Sequence, residues 1–391
     1  MRAFVFTDPS LKRHAGRFVW LAIDTEKAKN AAVRSRLKVR ALPTFFIVDP
    51  ATEQVALRWV GGMTLPQLER VLDESPLAAA GSEAGAAAGS APSVEVLLER
   101  ADRVYGDGDY AAAAAAYEQV LAGAPDDWPG YGRSVESLLY ALSQVDSSLR
   151  CATFARDAYP RLLGTPSAAS VASSGLDCAL SLPAEQPERK ELVATNEANL
   201  RSALADTAVG IAADDQSSSL SSLMDARKDA GDSVGARQMA EEWAAFLERE
   251  AGRAKTAEQR AVFDSHRLSA YIELGRPERA VPMLQASERD MPGDYNPPAR
   301  LAVAYLNLKR WDDGLAAADR ALAKAYGPRK LLILRTRADL LAGKGDVAGA
   351  RRTIEQAVAF AEALPPGQRS DATIASLKKK LDALGTSPSK N

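Results

Sequence analysis

The stretch Gly108–Pro125, GDYAAAAAAYEQVLAGAP, decides the architecture because its spacing recurs. After Gly108 come Ala113, Tyr117 and Pro125, at +5, +9 and +17; after Gly275 come Ala280, Leu284 and Pro292, at the same offsets. Lys309 takes the glycine place in the next unit, with Trp311, Gly314, Ala318 and Ala321. Gly345 opens the last, with Val347, Ala350, Ile354 and Ala357. These starts lie 34 and 36 residues apart, and a weaker unit at Gly231-Asp232-Ser233, with Ala236 and Ala240, stands 44 residues before Gly275. Periods of this length mark stacked helical units. A glycine permits the tight turn between two helices. The small residue at Ala113, Ala280 and Ala350 lets the helices approach, and the larger residue one turn on fills the space between hairpins. One hairpin cannot bury both faces, so neighbours must stack.

This pattern resembles tetratricopeptide repeats. The resemblance implies an α-solenoid over residues 93–384, with a groove that takes a protein or peptide partner, and a disordered tail at 385–391. Residues 130–200, with Leu138-Leu139-Tyr140, Phe154 and Tyr159-Pro160, read as helical in poor register. Some members of the family clamp a partner's terminal carboxylate with Lys and Asn on the first helices. Two such positions here are Leu98 and Asp102, so no clamp is expected. Arg300, Asn307 and Arg335 are the polar groove candidates in the later repeats.

Upstream, PLAAAGSEAGAAAGSAP holds no bulky apolar residue after Leu77. Such composition cannot bury a face, and residues 76–92 read as a flexible linker. Before it, Ala41–Pro50, ALPTFFIVDP, reads as a buried strand opened by Pro43 and closed by an Asp-Pro turn. Asp8-Pro9 starts a helix that Gly16 ends. Phe18 to Ile23 reads as a strand, residues 26–37 as a polar helix, Val55 to Val60 as a hairpin strand and Leu65 to Leu72 as a helix capped by Thr64.

That order, with the Ala41-Leu42-Pro43-Thr44 step, the strand ending in Asp24 and the closing Gly61-Gly62, resembles the thioredoxin-like superfamily over residues 1–75. The expected fold class is α/β then all-α: an incomplete thioredoxin-like fold, then a tetratricopeptide-type solenoid. The resemblance implies a cis proline and a peptide contact at Leu42, Pro43 and Thr44. It also implies a Cys-x-x-Cys on a helix start, which no part of this sequence supplies, so the block is expected to lack its first strand and its redox segment. A thiol–disulfide oxidoreductase would need that segment upstream of Met1.

Other chemistry is thinly represented. Cys151 and Cys178 form no Cys-x-x-Cys and no disulfide framework, and each reads as a small buried apolar residue. The two histidines, His14 and His266, stand apart from each other and from cysteine, so no metal site is expected. Gly343-Lys344-Gly345 is a repeat turn rather than a phosphate loop. Paired acids such as Asp126-Asp127, Asp214-Asp215 and Asp312-Asp313 read as helix starts or turns. No catalytic residue and no cofactor is implied. The balance of 49 basic against 51 acidic residues gives no drive toward nucleic acid or membrane. The expected role is protein–protein or peptide interaction, in the cytoplasm as written, or in the periplasm or exported if a leader precedes the chain.

Overall fold

The computed structural model describes residues 4–39, 42–73 and 92–385. They divide into two compact units: Met1–Leu21 with Ser35–Met239, and Ala22–Arg34 with Ala240–Asn391. The expected linker 76–92 and tail 385–391 fall almost wholly outside the described residues. No helix among the described residues is long and apolar enough to cross a membrane.

The first unit opens with a 3-10 turn at Pro9–His14, whose Asp8 cap accepts a hydrogen bond from the Ser10 amide at 2.9 Å. Helix α1, Ala31–Arg36, is short and begins in the stretch assigned to the second unit. Strands β1 (Thr44–Val48) and β2 (Val55–Val60) pair antiparallel, from Thr44 opposite Val60 to Val48 opposite Val55. Helix α2 (Leu65–Asp73) follows. Its start is a capping box: the Thr64 amide donates to Gln67 Oε1 at 2.8 Å, and the Gln67 amide to Thr64 Oγ1 at 3.4 Å. Leu68 and Leu72 bury against Met63, with Val5, Leu11, Phe18, Phe45 and Trp59 around them.

The strand expected at 18–23 does not form. The described residues make a two-stranded sheet of β1 and β2 alone. Val19 is 88% and Leu21 76% exposed, because an apolar run becomes a strand only when a neighbour accepts its hydrogen bonds. The thioredoxin-like expectation therefore finds its hairpin, its last helix and a cis Leu42–Pro43 bond here, but not its sheet.

Helices then fill the chain: α3 (Val94–Gly106), α4 (Tyr110–Gly123), α5 (Tyr131–Ser143), α6 (Ser148–Leu162), α7 (Ser167–Leu180), α8 (Arg189–Ala205), α9 (Ala213–Asp229) and α10 (Ser233–Arg253). In the second unit follow α11 (Ala257–Ala261), α12 (Asp264–Glu273), α13 (Ala280–Asp290), α14 (Asn296–Asn307), α15 (Trp311–Lys324), α16 (Arg329–Lys344), α17 (Val347–Glu362) and α18 (Asp371–Gly385). Each hairpin packs its two helices together. First helices also touch first helices, α5 on α7 and α7 on α9, then α12 on α14 and α14 on α16; second helices do likewise, α6 on α8. That two-layer pattern defines a helical-repeat solenoid within each unit.

The repeat positions behave as their spacing requires. Ala113, Ala280 and Ala350 are fully buried, as are Tyr117, Leu284 and Ile354 one turn on. The turn residues sit in the left-handed region: φ is 78° at Gly108, 70° at Gly231, 67° at Gly275 and 94° at Gly345. Lys309 adopts the same conformation, φ 56°, without a glycine's freedom. After it, the Arg310 amide donates to Tyr305 O at 2.9 Å, the bond that closes a Schellman cap.

Two expectations are corrected here. Residues 130–200 form regular hairpins, α5–α6 and α7–α8, although glycine turns do not mark them. Cys151 and Cys178 are buried, as expected, but they are bonded to each other rather than free. Adjacent packing of α6 and α7 sets their Cα atoms 6.0 Å apart, within disulfide reach.

Candidate protein-binding surface

The first helices α5, α7 and α9 bring acidic side chains to one face of the first unit. Glu136 comes from α5. The hydroxyls of Ser167 and Ser170, at the start of α7, hydrogen-bond to it. Burial pushes its carboxyl up to about 7, and the charge of Asp215 on α9 adds to the push. Asp215 itself is pushed up to about 6, by crowding first and by Asp214 second. Near the other end of α7, Asp177 is also raised; desolvation leads, the Ser222 hydroxyl opposes it, and Asp225 adds repulsion. Yet Asp177 and Asp215 are open to water, and Glu136 is half-buried. The face is thus reachable from solvent and crowded by protein, and its ionised carboxylates repel one another. A cation laid along it would relieve that repulsion.

Next to this face lies a structural ion pair that sequence reasoning missed. Asp102 on α3 accepts from Tyr117 Oη at 2.6 Å and from Arg133 Nη2 at 2.7 Å. Both charged side chains are over nine-tenths buried. The Arg133 guanidinium also stacks on the Trp59 ring, 3.9 Å from its centroid, tying β2 to α5. Asp102 is one of the clamp positions named above, and its carboxylate is consumed inside the protein. A cleft of about 240 Å³ opens beside the stack, lined by Leu57, Trp59, Gln67, Arg70, Leu98 and Arg133 among others.

The residues singled out from sequence are not brought together. Leu42 is 64% exposed and Pro43 is exposed, while Thr44 is half-buried as the first residue of β1. The Pro43 carbonyl accepts from the Gly61 amide at 2.9 Å, so the hairpin uses it. Arg300 and Arg335 lie on α14 and α16, which are first helices of the second unit. Arg300 is half-buried and donates to Ala261 O at 3.5 Å; Arg335 is exposed. Asn307 ends α14 and turns its amide back onto Val303 O at 2.9 Å, so its donor closes its own helix.

No family model matches the chain, and no curated protein matches it. Among solved structures, the chain is similar to a tetratricopeptide repeat protein from Parabacteroides merdae, at 12% identity and a TM-score of 0.44, over 75% of this chain and 99% of that one. It is similar to the APC/C hetero-tetramer Cut9–Hcn1, at 12% identity and a TM-score of 0.38, over 83% of this chain and 56% of that one. It is also similar to the assembly chaperone of RpL4, Acl4, at 12% identity and a TM-score of 0.36, over 75% of this chain and 98% of that one. At these scores the likenesses bear no weight, and the repeat architecture stands on the helix contacts described above.

Proposed function

We propose that the chain is a protein-binding scaffold, and that the face of α5, α7 and α9 takes a Lys- or Arg-bearing segment of its partner. The supporting observation is the juxtaposition of Glu136 on α5 with Asp215 on α9, with a second acidic pair, Asp177 and Asp225, on α7 and α9; Glu136, Asp177 and Asp215 each have a raised proton affinity while water still reaches the face. A helix array presents such a face because stacking buries the sides of each helix and leaves the outer edge of the layer free. Arg300 and Arg335 are proposed as contacts of the corresponding layer in the second unit, and Leu42, Pro43 and Thr44 as an accessory contact at the start of β1. Asn307 is the weakest of these, since its amide is occupied.

The test uses a fluorescent Lys-rich peptide and its Glu-for-Lys counterpart, titrated against the full chain by anisotropy. The basic peptide should bind with an affinity that falls as salt rises, and the acidic one should not compete. Glu136→Gln with Asp215→Asn should weaken binding by about tenfold or more. Unchanged affinity in that variant would refute the reading.

A further inference from the structure

In the second unit, residues 22–34 lie across the loops at one edge of the helix array. The receiving residues come from three successive places: Tyr295 just before α14, Tyr326 and Arg329 between α15 and the first turn of α16, and Gln368 between α17 and α18. Tyr326 Oη donates to Asp24 Oδ2, and Arg329 Nη1 donates to Tyr326 Oη at 2.8 Å. Arg329 pairs through Nη2 with Asp24 at 3.5 Å, and through Nε with Glu26. Gln368 Nε2 donates to the Glu26 backbone carbonyl at 3.2 Å. The rings of Tyr295 and Tyr326 flank the Arg329 guanidinium at 5.5 and 4.7 Å. Lys27 lies 5.3 Å over Tyr326.

The bound segment is shaped for this. The Glu26 amide donates to Asp24 Oδ1 at 3.0 Å, and Asn30 Nδ2 donates to Asp24 O at 2.8 Å, so the Asp-Thr-Glu turn holds its own form. Burial opposes ionisation of Asp24, but the Tyr326 hydroxyl, the Glu26 amide and the charges of Arg329 and Lys27 outweigh it. Recognition therefore reads two carboxylates spaced i, i+2 and one backbone carbonyl. It asks nothing of Thr25; farther along the segment, Arg34 Nη2 donates to Gly367 O, beside Gln368. The ion pairs that hold it are partly exposed, and such pairs are individually weak. Local release of this segment is accordingly cheap compared with unfolding a hairpin.

We infer that Tyr295, Tyr326, Arg329 and Gln368 form a docking site for an acidic Asp-x-Glu segment, held in cis by Asp24–Glu26 and open to an Asp-x-Glu segment of a partner protein. The inference is independent of the acidic face in the first unit, which takes the opposite charge. A ligand competing with a tethered segment sees only the open fraction of sites, so its apparent affinity is reduced by that fraction.

The probe is a fluorescent peptide with the sequence of residues 20–34, titrated against four full-length proteins. Asp24→Asn with Glu26→Gln, which empties the site in cis, should bind the probe about tenfold more tightly than the unaltered chain. Adding Arg329→Gln to that variant should abolish binding. Adding Tyr326→Phe instead removes one hydroxyl, keeps the ring, and should weaken binding several-fold, which guards against misfolding of the Arg329 variant. A probe carrying Asn and Gln for the two acids should not bind. Equal affinity for the unaltered and emptied chains, no binding to the emptied chain, or binding that survives loss of Arg329 would each overturn the inference.

Discussion

Remove one member of the Asp102–Arg133 pair, and the other is left buried without its counter-charge. Asp102 is 6% and Arg133 8% exposed, so water cannot replace the lost partner. Breaking a buried pair in this way costs about 3–5 kcal/mol. Arg133→Met should sit in that range, with about 1 kcal/mol coming from the lost stack on Trp59. Asp102→Leu should cost a similar amount, because it strands the guanidinium and also the Tyr117 hydroxyl, whose residue is fully buried. An orphaned buried hydroxyl costs about 1–3 kcal/mol. Combining Asp102→Leu, Tyr117→Phe and Arg133→Met removes every stranded group at once. The triple variant should therefore come within about 2 kcal/mol of the unaltered chain, far less than the sum of its parts. Urea unfolding of the full chain, followed by far-ultraviolet dichroism and tryptophan fluorescence, measures all three. Additive losses in the triple variant would refute the reasoning, since they would mean that each side chain stabilises the fold alone.

Lys309→Gly should stabilise the second unit by about 0.5–1 kcal/mol, read as a higher melting temperature, because a lysine at φ 56° carries strain that glycine lacks. Gly314→Ala should destabilise by about 1–2 kcal/mol in denaturant titration despite alanine's better helix propensity, because its methyl would collide with the fully buried Leu340. Cys151→Ala with Cys178→Ala should cost about 3.5 kcal/mol, the chain-entropy value for a cross-link spanning 27 residues, and the unaltered chain should show no reactive thiol in urea without reductant. Glu136 binds its proton more tightly folded than unfolded, so stability should fall as pH rises from about 4.5 through 7. Glu136→Gln should flatten that slope and raise stability at pH 8 by about 1–2 kcal/mol, a figure discounted for partial exposure and checked by urea midpoints across pH.

What could be read from sequence was whatever depends on local backbone geometry. Gly231, Gly275 and Gly345 announce their turns because a left-handed residue is needed there, and the buried Ala five residues after Gly275 or Gly345 follows from the same turn. Where the chain turns by other means, the register fades. Asp146, at φ 52°, makes the turn between α5 and α6, and the longer loop Ser181–Glu188 joins α7 to α8. The Cys151–Cys178 bond follows from how α6 packs on α7, which no spacing encodes. Arg133 reaches Asp102 across a hairpin boundary, 31 residues away, and neither residue stands out in its own helix. The run Phe18–Ile23 shows the opposite failure. Its composition favours a strand, but a strand needs a partner, and among the described residues only β1 and β2 pair. The face of α5, α7 and α9 was invisible for a related reason: its acids are ordinary helix-surface residues until the helices are stacked.

Stability and affinity should then respond to pH in opposite directions. The same proton that relieves Glu136 in the empty protein removes the charge that would attract a lysine. Below about pH 6 the face is partly neutral and its self-repulsion is small. Toward pH 8 Glu136 and Asp215 ionise, their contribution to the free chain's stability is lost, and a cationic segment gains both Coulomb attraction and the relief of repulsion. Binding near neutrality must therefore expel protons, because a cation lowers the proton affinity of the groups it pairs with. A role confined to the fold gives no such coupling, because no cation then changes the proton affinity of Glu136 or Asp215 when a peptide is added. Proton release on peptide binding, followed by calorimetry in buffers of different ionisation enthalpy, separates the two accounts. Release near pH 6.5 that shrinks in Glu136→Gln ties the acidic face to the partner, and binding without release assigns it to the fold alone.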